Sequence, residues 1–426
     1  MRRALVNTQL DQSGDTEYGE SFLTRESLSL IEFARGSASQ EGGFGYLDSD
    51  GAIDPSKPRE IYIQARMTQV FGLAHLLGLS DSFELVDHGV KSILNLFHDK
   101  TNDGFFNAIN KDGKPTTRSK LAYDQMFVLL AASTAKAVKH PQADELFHII
   151  DSLIGQYYWD PQYEMMNNSW DLEYKKLDKY RGINANMHAV EALCAAYDVT
   201  GDTKFRDRAY FICKTAVDKF AKDNNWLLPE HYNEKWEVLK DFNINNPADP
   251  FRPFGVTIGH LFEWSRLILQ LEIQMKGSNK DLSWIRSGAI SLYDAAKKYG
   301  WAVDGTDGFV YTIDWDKKPV VRSRMHWVAA EAVMTAYTLW KITGKPEYLR
   351  DYDSWWRYID TRVIDKVAGS WFHELDPNQK VVEGTWSGKP DIYHAFNACL
   401  LPMYPLAATF IGTALRTGHS FGESRS

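Results

Sequence analysis

Apolar residues recur along this chain with the spacing of amphipathic helices. Positions i, i+3, i+4 and i+7 are apolar through long stretches, and this pattern predicts α-helices. The predicted helices cover residues 21–38, 58–79, 81–98, 119–138, 142–157, 184–200, 202–221, 257–274, 281–299, 323–343, 346–362 and 391–412. The sequence therefore predicts an all-α protein.

These predicted helices come in six pairs. Gly78, Gly201 and Gly344 lie where one helix should stop before another begins, and short aromatic turns follow the second helix of several pairs. A helical hairpin that cannot bury its own apolar face must stack on neighbours. The pattern leaves two arrangements open: an open solenoid, or a closed ring called an (α/α)6 barrel.

No Pro/Ser-rich linker divides the chain. We therefore expect one domain over residues 19–412, with loosely ordered ends at residues 1–18 and 413–426.

Composition removes several classes of protein. The apolar runs are shorter than the roughly 20 residues that a membrane span requires. The formal charge of -8, without a long basic block, argues against a nucleic-acid partner. The two arginines after Met1 lack a following apolar region, so we expect no secretory signal and a cytoplasmic location. Three widely spaced cysteines predict reduced, buried thiols without disulfides or zinc.

Histidine recurs three or four residues after a residue type that caps helix N-termini. The pairs are Asn184 with His188, Thr257 with His260, Ser323 with His326 and Asp391 with His394. If the inner helices of a ring run parallel, their first turns meet at one mouth. A helix N-terminus disfavours imidazolium, so the pattern predicts a group of neutral bases there.

Carboxylates accompany two of these histidines. The i, i+3 pairs are His188 with Glu191 and His260 with Glu263, and each pair lies on one helical face. Two Glu-x-x-His segments would suggest a di-metal site, but the order here is reversed and no further carboxylates match. We expect no metal.

Arginine and aromatic residues complete the candidates. Arg66 lies in an otherwise apolar predicted helix, so it either pairs with a carboxylate or faces a polar cavity. Arg252 lies in a proline-rich loop before the His260 helix. Tyr123, Trp327 and Trp386 could stack on a ligand. Glu331 lies four residues after Trp327 and therefore on the same side of its predicted helix.

Six segments, in this order, resemble the N-acylglucosamine 2-epimerase superfamily, and within it the aldose–ketose isomerases that act on mannose or sulfoquinovose. They are REIYIQAR at 59–66, YDQ at 123–125, NANMHAVEA at 184–192, GHLFEW at 259–264, RMHW at 324–327 and GKPDIYHA at 388–395. The likeness extends from about residue 20 to residue 412.

This resemblance implies an (α/α)6 barrel with short β-hairpin loops at its mouth, and an active site without metal, nucleotide or other cofactor. It further implies that His394 moves a proton at C2 of a sugar, while His260 assists ring opening or serves as a second base. The residues implied to bind the sugar are Arg66, Tyr123, Asn184, His188, Glu263, Trp327, Glu331 and Trp386, with Arg252 matching the family's loop.

We therefore expect a metal-independent isomerase that interconverts D-mannose and D-fructose by histidine-mediated transfer of a proton from C2 to C1 through a cis-enediolate. The alternatives are a sulfoquinovose isomerase and a 2-epimerase acting on cellobiose or an N-acylhexosamine. A glycoside hydrolase would need two carboxylates flanking the bond, whereas the recurrent first-turn residue is His. A helical-repeat binding protein is the non-enzymatic alternative. The expected partner is a monosaccharide, and a homo-oligomer is compatible with the sequence.

Overall fold

The computed structural model describes residues 16–79 and 81–417, and α-helices dominate this part of the chain. In chain order the helices are α1 (Glu20–Arg35), α2 (Ile61–Leu76), α3 (Ser82–Ser92), α4 (Ala122–Ala137), α5 (Ala143–Leu153), α6 (Ile183–Thr200), α7 (Thr203–Cys213), α8 (Ile258–Gln274), α9 (Ile285–Gly300), α10 (His326–Thr343), α11 (Pro346–Tyr358), α12 (Tyr393–Met403) and α13 (Phe410–Thr417). Four outer helices continue into π-helical turns, at Ile93–Phe97, Ile154–Tyr158, Lys214–Ala221 and Ile359–Val363.

Six helices form an inner ring. Helices α2, α4, α6, α8, α10 and α12 pack on one another in that order, and α12 packs back against α2. Each inner helix also packs against one outer helix: α3, α5, α7, α9, α11 and α1 in turn. The expected (α/α)6 barrel is thus confirmed, and the ring is closed.

Burial explains which helices lie inside. In α2 every residue from Ile61 to Ala74 is buried, so the helix is covered on all sides. In α11 the buried residues form one stripe, from Tyr348 to Tyr358, and the opposite face is polar. An apolar helix without a polar face suits the inner ring, whereas an amphipathic helix suits the outer ring.

Short strands gather at one end of the barrel. They form six two-stranded antiparallel sheets: β1 (Arg59–Glu60) with β2 (Ala108–Ile109), β3 (Ser119–Leu121) with β6 (Ser169–Asp171), β4 (Trp159–Asp160) with β5 (Met165–Met166), β7 (Arg181–Gly182) with β8 (His231–Tyr232), β9 (Val256–Thr257) with β10 (Thr312–Ile313), and β11 (Arg324–Met325) with β12 (Glu374–Leu375). Strands β1, β3, β7, β9 and β11 each lead directly into an inner helix. This end of the barrel is its mouth.

These strands explain why several predicted helix starts are displaced. Asn184, expected as an N-cap, is the second residue of α6, because β7 ends at Gly182. Ser323 precedes β11 and lies outside α10. Thr257 does cap α8, but its side chain makes no capping hydrogen bond. Asp391 accepts a hydrogen bond from the backbone N–H of Tyr393, at 3.0 Å.

The last predicted helix, residues 391–412, is two helices. Pro402 lies in the final turn of α12 and Pro405 follows it, and proline cannot supply the backbone N–H that would continue a helix. Helix α13 then begins at Phe410 and packs against α2, α4, α6 and α12. It closes the end of the barrel opposite the mouth.

The predicted loose ends lie mainly outside the described residues. Tyr18 is buried and stacks on Trp356, and α13 continues to Thr417, so the described structure extends beyond residues 19–412 at both ends. Among the described residues, no helix has both the length and the apolar character that a membrane span requires.

Candidate active site

The strands at the mouth place the starts of the inner helices at similar depths, so residues with the same position counted from the helix start lie at similar levels in the barrel. The second residues of five helices are Tyr62, Tyr123, Asn184, Trp327 and His394, and the third residue of α8 is His260. One turn deeper, the sixth residues include Arg66, Phe127, His188, Glu263 and Glu331. Because four residues make about one helical turn, positions two and six share a face. That face lines the barrel axis.

A cavity of about 640 Å³, including its opening to solvent, occupies the mouth. Nine of the eleven sequence-predicted site residues line it: Arg66, Tyr123, Asn184, His188, His260, Glu263, Trp327, Trp386 and His394. Arg252 and Glu331 do not. Glu331 lies beneath His394, and Arg252 stacks on Tyr180 in an adjoining cavity of about 860 Å³.

His394 is held from below by Glu331. The Nδ1 atom of His394 and Oε1 of Glu331 are 3.1 Å apart. A carboxylate only accepts hydrogen bonds, so Nδ1 carries the proton and Nε2 is left as a basic nitrogen. Burial, together with the positive charge of Arg66, lowers the pKa of His394 well below its ordinary value. The imidazole is therefore neutral at neutral pH.

His260 has the same arrangement with a different carboxylate. Its Nδ1 lies 2.9 Å from Oε1 of Glu230, a residue just before β8. The indole of Trp327 lies between the two histidines, with ring centroids 5.3 Å from His260 and 5.8 Å from His394. Two oriented imidazoles thus flank one aromatic surface.

His188 has no such partner. Its Nδ1 is 3.6 Å from Glu191 and 3.9 Å from Glu263, beyond hydrogen-bond distance, and its ring packs on Phe127 and Tyr123. Burial lowers the pKa of His188 to about 4. Burial and the nearby Glu331 raise the pKa of Glu263 well above its ordinary value. His188 is therefore a neutral imidazole at neutral pH, and the raised pKa of Glu263 favours its protonated form, which can donate a hydrogen bond.

Arg66 is the cation of the cavity. Its guanidinium donates to Asp391 at 3.1 Å and to the Tyr123 hydroxyl at 2.8 Å. The same guanidinium lies over the rings of Phe127 and Tyr393, at 4.5 and 4.9 Å. Although burial acts in the opposite direction, Arg66 and a backbone N–H lower the pKa of Asp391. The sequence offered two alternatives for Arg66, and the structure shows both, because Arg66 forms a buried ion pair with Asp391 and also faces a polar cavity.

Several cavity residues were not singled out from the sequence. One of them is His373, which stacks on His326 with ring centroids 3.9 Å apart, and both residues line the cavity. Asp391 was read only as a helix cap. Phe251 packs at the mouth. It lies next to Arg252 in the proline-rich loop, so that loop could have indicated Phe251 as well. Glu230 had no such signal, because its partner is 30 residues away.

The described residues contain one group with the composition of a metal site. Ligand atoms of His188, Glu191 and Glu263 all lie within 4.8 Å of one another. However, the guanidinium of Arg266 is 3.7 Å from Glu263 and already supplies positive charge there. The donor set therefore fits a divalent cation poorly, because a bound ion would face this guanidinium.

Comparison with known proteins places this architecture among sugar-converting enzymes. Residues 42–398 match the sequence model of the family described as N-acylglucosamine 2-epimerase. The chain is 42% identical to a protein named D-mannose isomerase from Thermobifida fusca, over 93% of this chain and 97% of that protein. It is 40% identical to a D-mannose isomerase from Pseudomonas cannabina pv. alisalensis, over 91% and 93% of the two chains. A crystal structure of a D-mannose isomerase superposes with a TM-score of 0.85 at 27% identity, covering 91% of this chain and 99% of that one.

Proposed function

This chain belongs to the N-acylglucosamine 2-epimerase family, and we propose that it is a metal-independent aldose–ketose isomerase that interconverts D-mannose and D-fructose. Two relatives of about this length, at 40–42% identity, carry that activity in their names. The observation that supports the chemistry is the pair of histidines, His260 and His394, whose Nδ1 atoms are each bound by a buried carboxylate.

His394 acts as the base for proton transfer. Nε2 of His394 removes the C2 proton of the open-chain aldose, and the electron pair of that C–H bond forms the C1–C2 double bond of an enediolate, with the charge on O1. The imidazolium then returns the proton to C1 while the proton of the O2 hydroxyl passes to O1. C2 becomes the ketone carbon, and His394 is neutral again.

His260 acts on the ring form of the sugar. Its Nε2 accepts the proton of the anomeric hydroxyl and returns it to the ring oxygen, which opens the hemiacetal. Glu230 keeps Nδ1 protonated throughout, because it accepts from that nitrogen. Trp327 lies against both imidazoles and provides a flat surface for the C–H face of the sugar.

Groups from both walls of the cavity stabilise the enediolate oxygens. Arg66 on α2 is a fixed cation, Glu263 on α8 lies at the same depth, and the hydroxyl of Tyr123 lies one turn nearer the mouth. Donors that are already oriented towards a developing charge lower the barrier more than mobile ones do. Tyr123, Asn184, His188 and Trp386 complete the contacts with the sugar hydroxyls and ring.

One experiment tests the reaction type. EDTA-treated protein is incubated with D-mannose in deuterated water and followed by NMR. We expect fructose, with deuterium at C1 wherever the transferred proton exchanges with solvent. Glucose as the sole product, with deuterium at C2, would identify a 2-epimerase. Turnover of sulfoquinovose without turnover of mannose would identify the other isomerase, and activity that returns only with added metal would contradict metal independence.

We further propose that residues 19–412 act as one catalytic domain in the cytoplasm. The closed ring from α1 to α12 supports the domain assignment, because each inner helix depends on two neighbours. Free, buried Cys194, Cys213 and Cys399 support a reducing compartment. Expression of residues 19–412, compared with residues 16–417, should retain the activity of the full chain, and cell fractionation tests the location.

A further inference from the structure

A buried arginine lies beneath the active site without touching the cavity. Arg266 is the ninth residue of α8, about one turn deeper than Glu263, and only 2% of it is exposed. It does not line the mouth cavity, and nothing in its position brings it near a bound sugar. An unpaired guanidinium there would be costly, so its partners define its role.

Those partners are two carboxylates and an amide. Nε of Arg266 donates to Oε2 of Glu331 at 2.9 Å, and Nη1 donates to Gln270 at 2.8 Å. Nη2 lies 3.7 Å from Oε1 of Glu263, which is close enough for attraction but too far for a hydrogen bond. The guanidinium is therefore anchored on Glu331 and only faces Glu263.

Because of this anchoring, the neighbouring carboxyl groups of Glu331 and Glu263 differ in their hydrogen bonds. Both oxygens of Glu331 are engaged, Oε2 by Arg266 and Oε1 by Nδ1 of His394. Both oxygens of Glu263 are buried without a hydrogen-bond partner. One carboxyl group is thus fixed as an acceptor for the histidine, while the other is left available to the cavity.

We propose that Arg266 is a positioning residue for proton transfer: by holding Oε2 of Glu331, it turns Oε1 towards His394 and fixes the imidazole with Nδ1 protonated and Nε2 as the base. This inference rests on the proposed role of His394 as the base. The chain of contacts is Arg266, Glu331, His394 and then C2 of the sugar, and each of the first two links is a hydrogen bond between fully buried groups.

The alternative is that Arg266 only balances charge and stabilises the fold. Two readouts separate these roles. A residue that acts through His394 changes kcat and its pH dependence, but leaves KM nearly unchanged because it does not contact the sugar. A residue that acts only through Glu331 has no effect once Glu331 has been replaced.

The charged and titratable groups that face His394 are Arg66, Asp391, His188, Glu191, His326, Glu331, His373 and Tyr393. Replacing Arg266 acts on these groups through Glu331, which it binds, and through Glu191, whose pKa its charge lowers, so the pH profile is compared with those of Glu331→Gln and the double variant. Without it, the charge of Glu331 acts on His394 unopposed and raises the pKa of His394. The acid limb of the kcat profile should then move to higher pH.

The test uses Arg266→Met, Arg266→Lys, Glu331→Gln and the double variant Arg266→Met/Glu331→Gln in the full chain. For Arg266→Met we expect a loss of kcat of roughly 10- to 100-fold, a KM within about threefold of the wild type and an acid limb shifted upwards. The double variant should be no slower than Glu331→Gln, within about threefold. Arg266→Lys, which keeps a cation, should recover part of kcat.

A matched control is Lys297→Met, which removes an ion pair with Asp351 between the outer helices α9 and α11. It should lower stability without shifting the pH profile. If Arg266→Met does not fold, Arg266→Lys and ¹⁵N NMR of His394 decide instead: Nδ1 should carry the proton in the wild type, and a mixture of tautomers should appear in the variant.

Multiplicative losses in the double variant, an unmoved acid limb or an unchanged tautomer would each overturn the proposal. These results are distinguishable from failure of the proposed function. If His394→Ala keeps its turnover, the assignment of the base fails whatever Arg266 does. If His394→Ala is inactive while Arg266→Met keeps its kcat and pH profile, only the inference about Arg266 fails.

Discussion

The two walls of the mouth cavity hold their polar groups in different ways. On the wall formed by α8, α10 and α12, His260 and His394 are each tied by Nδ1 to a carboxylate. On the wall formed by α2, α4 and α6, His188 has no hydrogen bond at Nδ1, and the fixed group is the cation Arg66. A proton-transfer base needs a defined tautomer, whereas a group that contacts hydroxyls does not. The difference supports the proposed roles, with proton transfer at the histidines of the first wall and binding of the sugar and enediolate oxygens by Arg66 of the second.

The largest expected effect comes from removing the base on the first wall. His394→Ala should lower kcat by about 10²- to 10⁴-fold, the contribution typical of a positioned general base, while the fold is retained. Steady-state kinetics on mannose and circular dichroism measure the two properties. His148→Ala, at an exposed position of α5, is the matched control and should be fully active. Near-normal turnover of His394→Ala would remove this residue from the role of base.

A second prediction concerns the unpaired histidine of the other wall. The pKa of His188 is about 4 in the folded chain and close to 6.5 when unfolded, so between these values only the unfolded chain binds the proton. As the pH drops from 7 to 5, the contribution of His188 to the free energy of unfolding should therefore fall by about 2 kcal/mol. Above pH 7 this contribution is constant.

Urea unfolding at pH 7 and pH 5 measures this fall. Other buried groups also change the wild-type value, because burial lowers the pKa of His326, His373 and His394 and, with the opposite effect on stability, raises the pKa of Glu263 and Asp124. The difference between a His188 variant and the wild type isolates the contribution of His188. His188→Gln should lose about 2 kcal/mol less than the wild type, and His148→Gln should lose as much as the wild type. Equal losses in His188→Gln and the wild type would show that His188 titrates alike in the folded and unfolded chains.

The cation of the second wall provides the next largest effect. Arg66→Lys keeps the charge but cannot hold Asp391 and Tyr123 together in the planar geometry of a guanidinium. We expect kcat/KM for mannose to fall about 10- to 100-fold, as for a lost charge-assisted hydrogen bond, with KM raised and kcat lowered because Arg66 contacts both the sugar and the enediolate. Tyr123→Phe, which removes one of the two partners, should raise KM less. A loss of stability with unchanged KM would make Arg66 a purely structural ion pair.

These walls also show what the sequence could and could not predict. An unpaired arginine is costly to bury in a helix without a polar face, and this cost alone predicts that Arg66 is paired or faces a polar cavity. The recurrence of histidine near helix starts located His188, His260 and His394. Both arguments are local, because they use spacing within one helix.

What the sequence could not predict depends on contacts between distant segments. Arg266 and Glu331 are 65 residues apart in the sequence, and Arg66 and Asp391 are 325 residues apart. The pattern within a single helix therefore does not predict either pair. The exact helix starts were missed for the same reason, because each is fixed by a strand whose partner comes from another hairpin. Closure of α12 onto α2 likewise joins the two ends of the chain, and the helical pattern alone left it open.

The smallest expected effect tests the residue that connects the two walls. Phe251 lies at the mouth and is 37% exposed; its ring contacts Tyr62 and Tyr123 on one side, at 5.9 and 5.5 Å, and Trp386 on the other, at 5.4 Å. Phe251→Ala removes these edge-to-face contacts, each worth about 0.5–1.5 kcal/mol, and opens the cavity to water. We expect KM to rise about 3- to 10-fold while kcat stays within about twofold.

Val367→Ala, at a fully exposed position outside the cavity, is the control for this variant and should leave both constants unchanged. Because Phe251 touches neither His260 nor His394, its loss should not alter the pH dependence of kcat. A fall in kcat at constant KM would contradict this division of roles. It would mean that the spacing of the two walls, and not only the affinity for the sugar, depends on this ring.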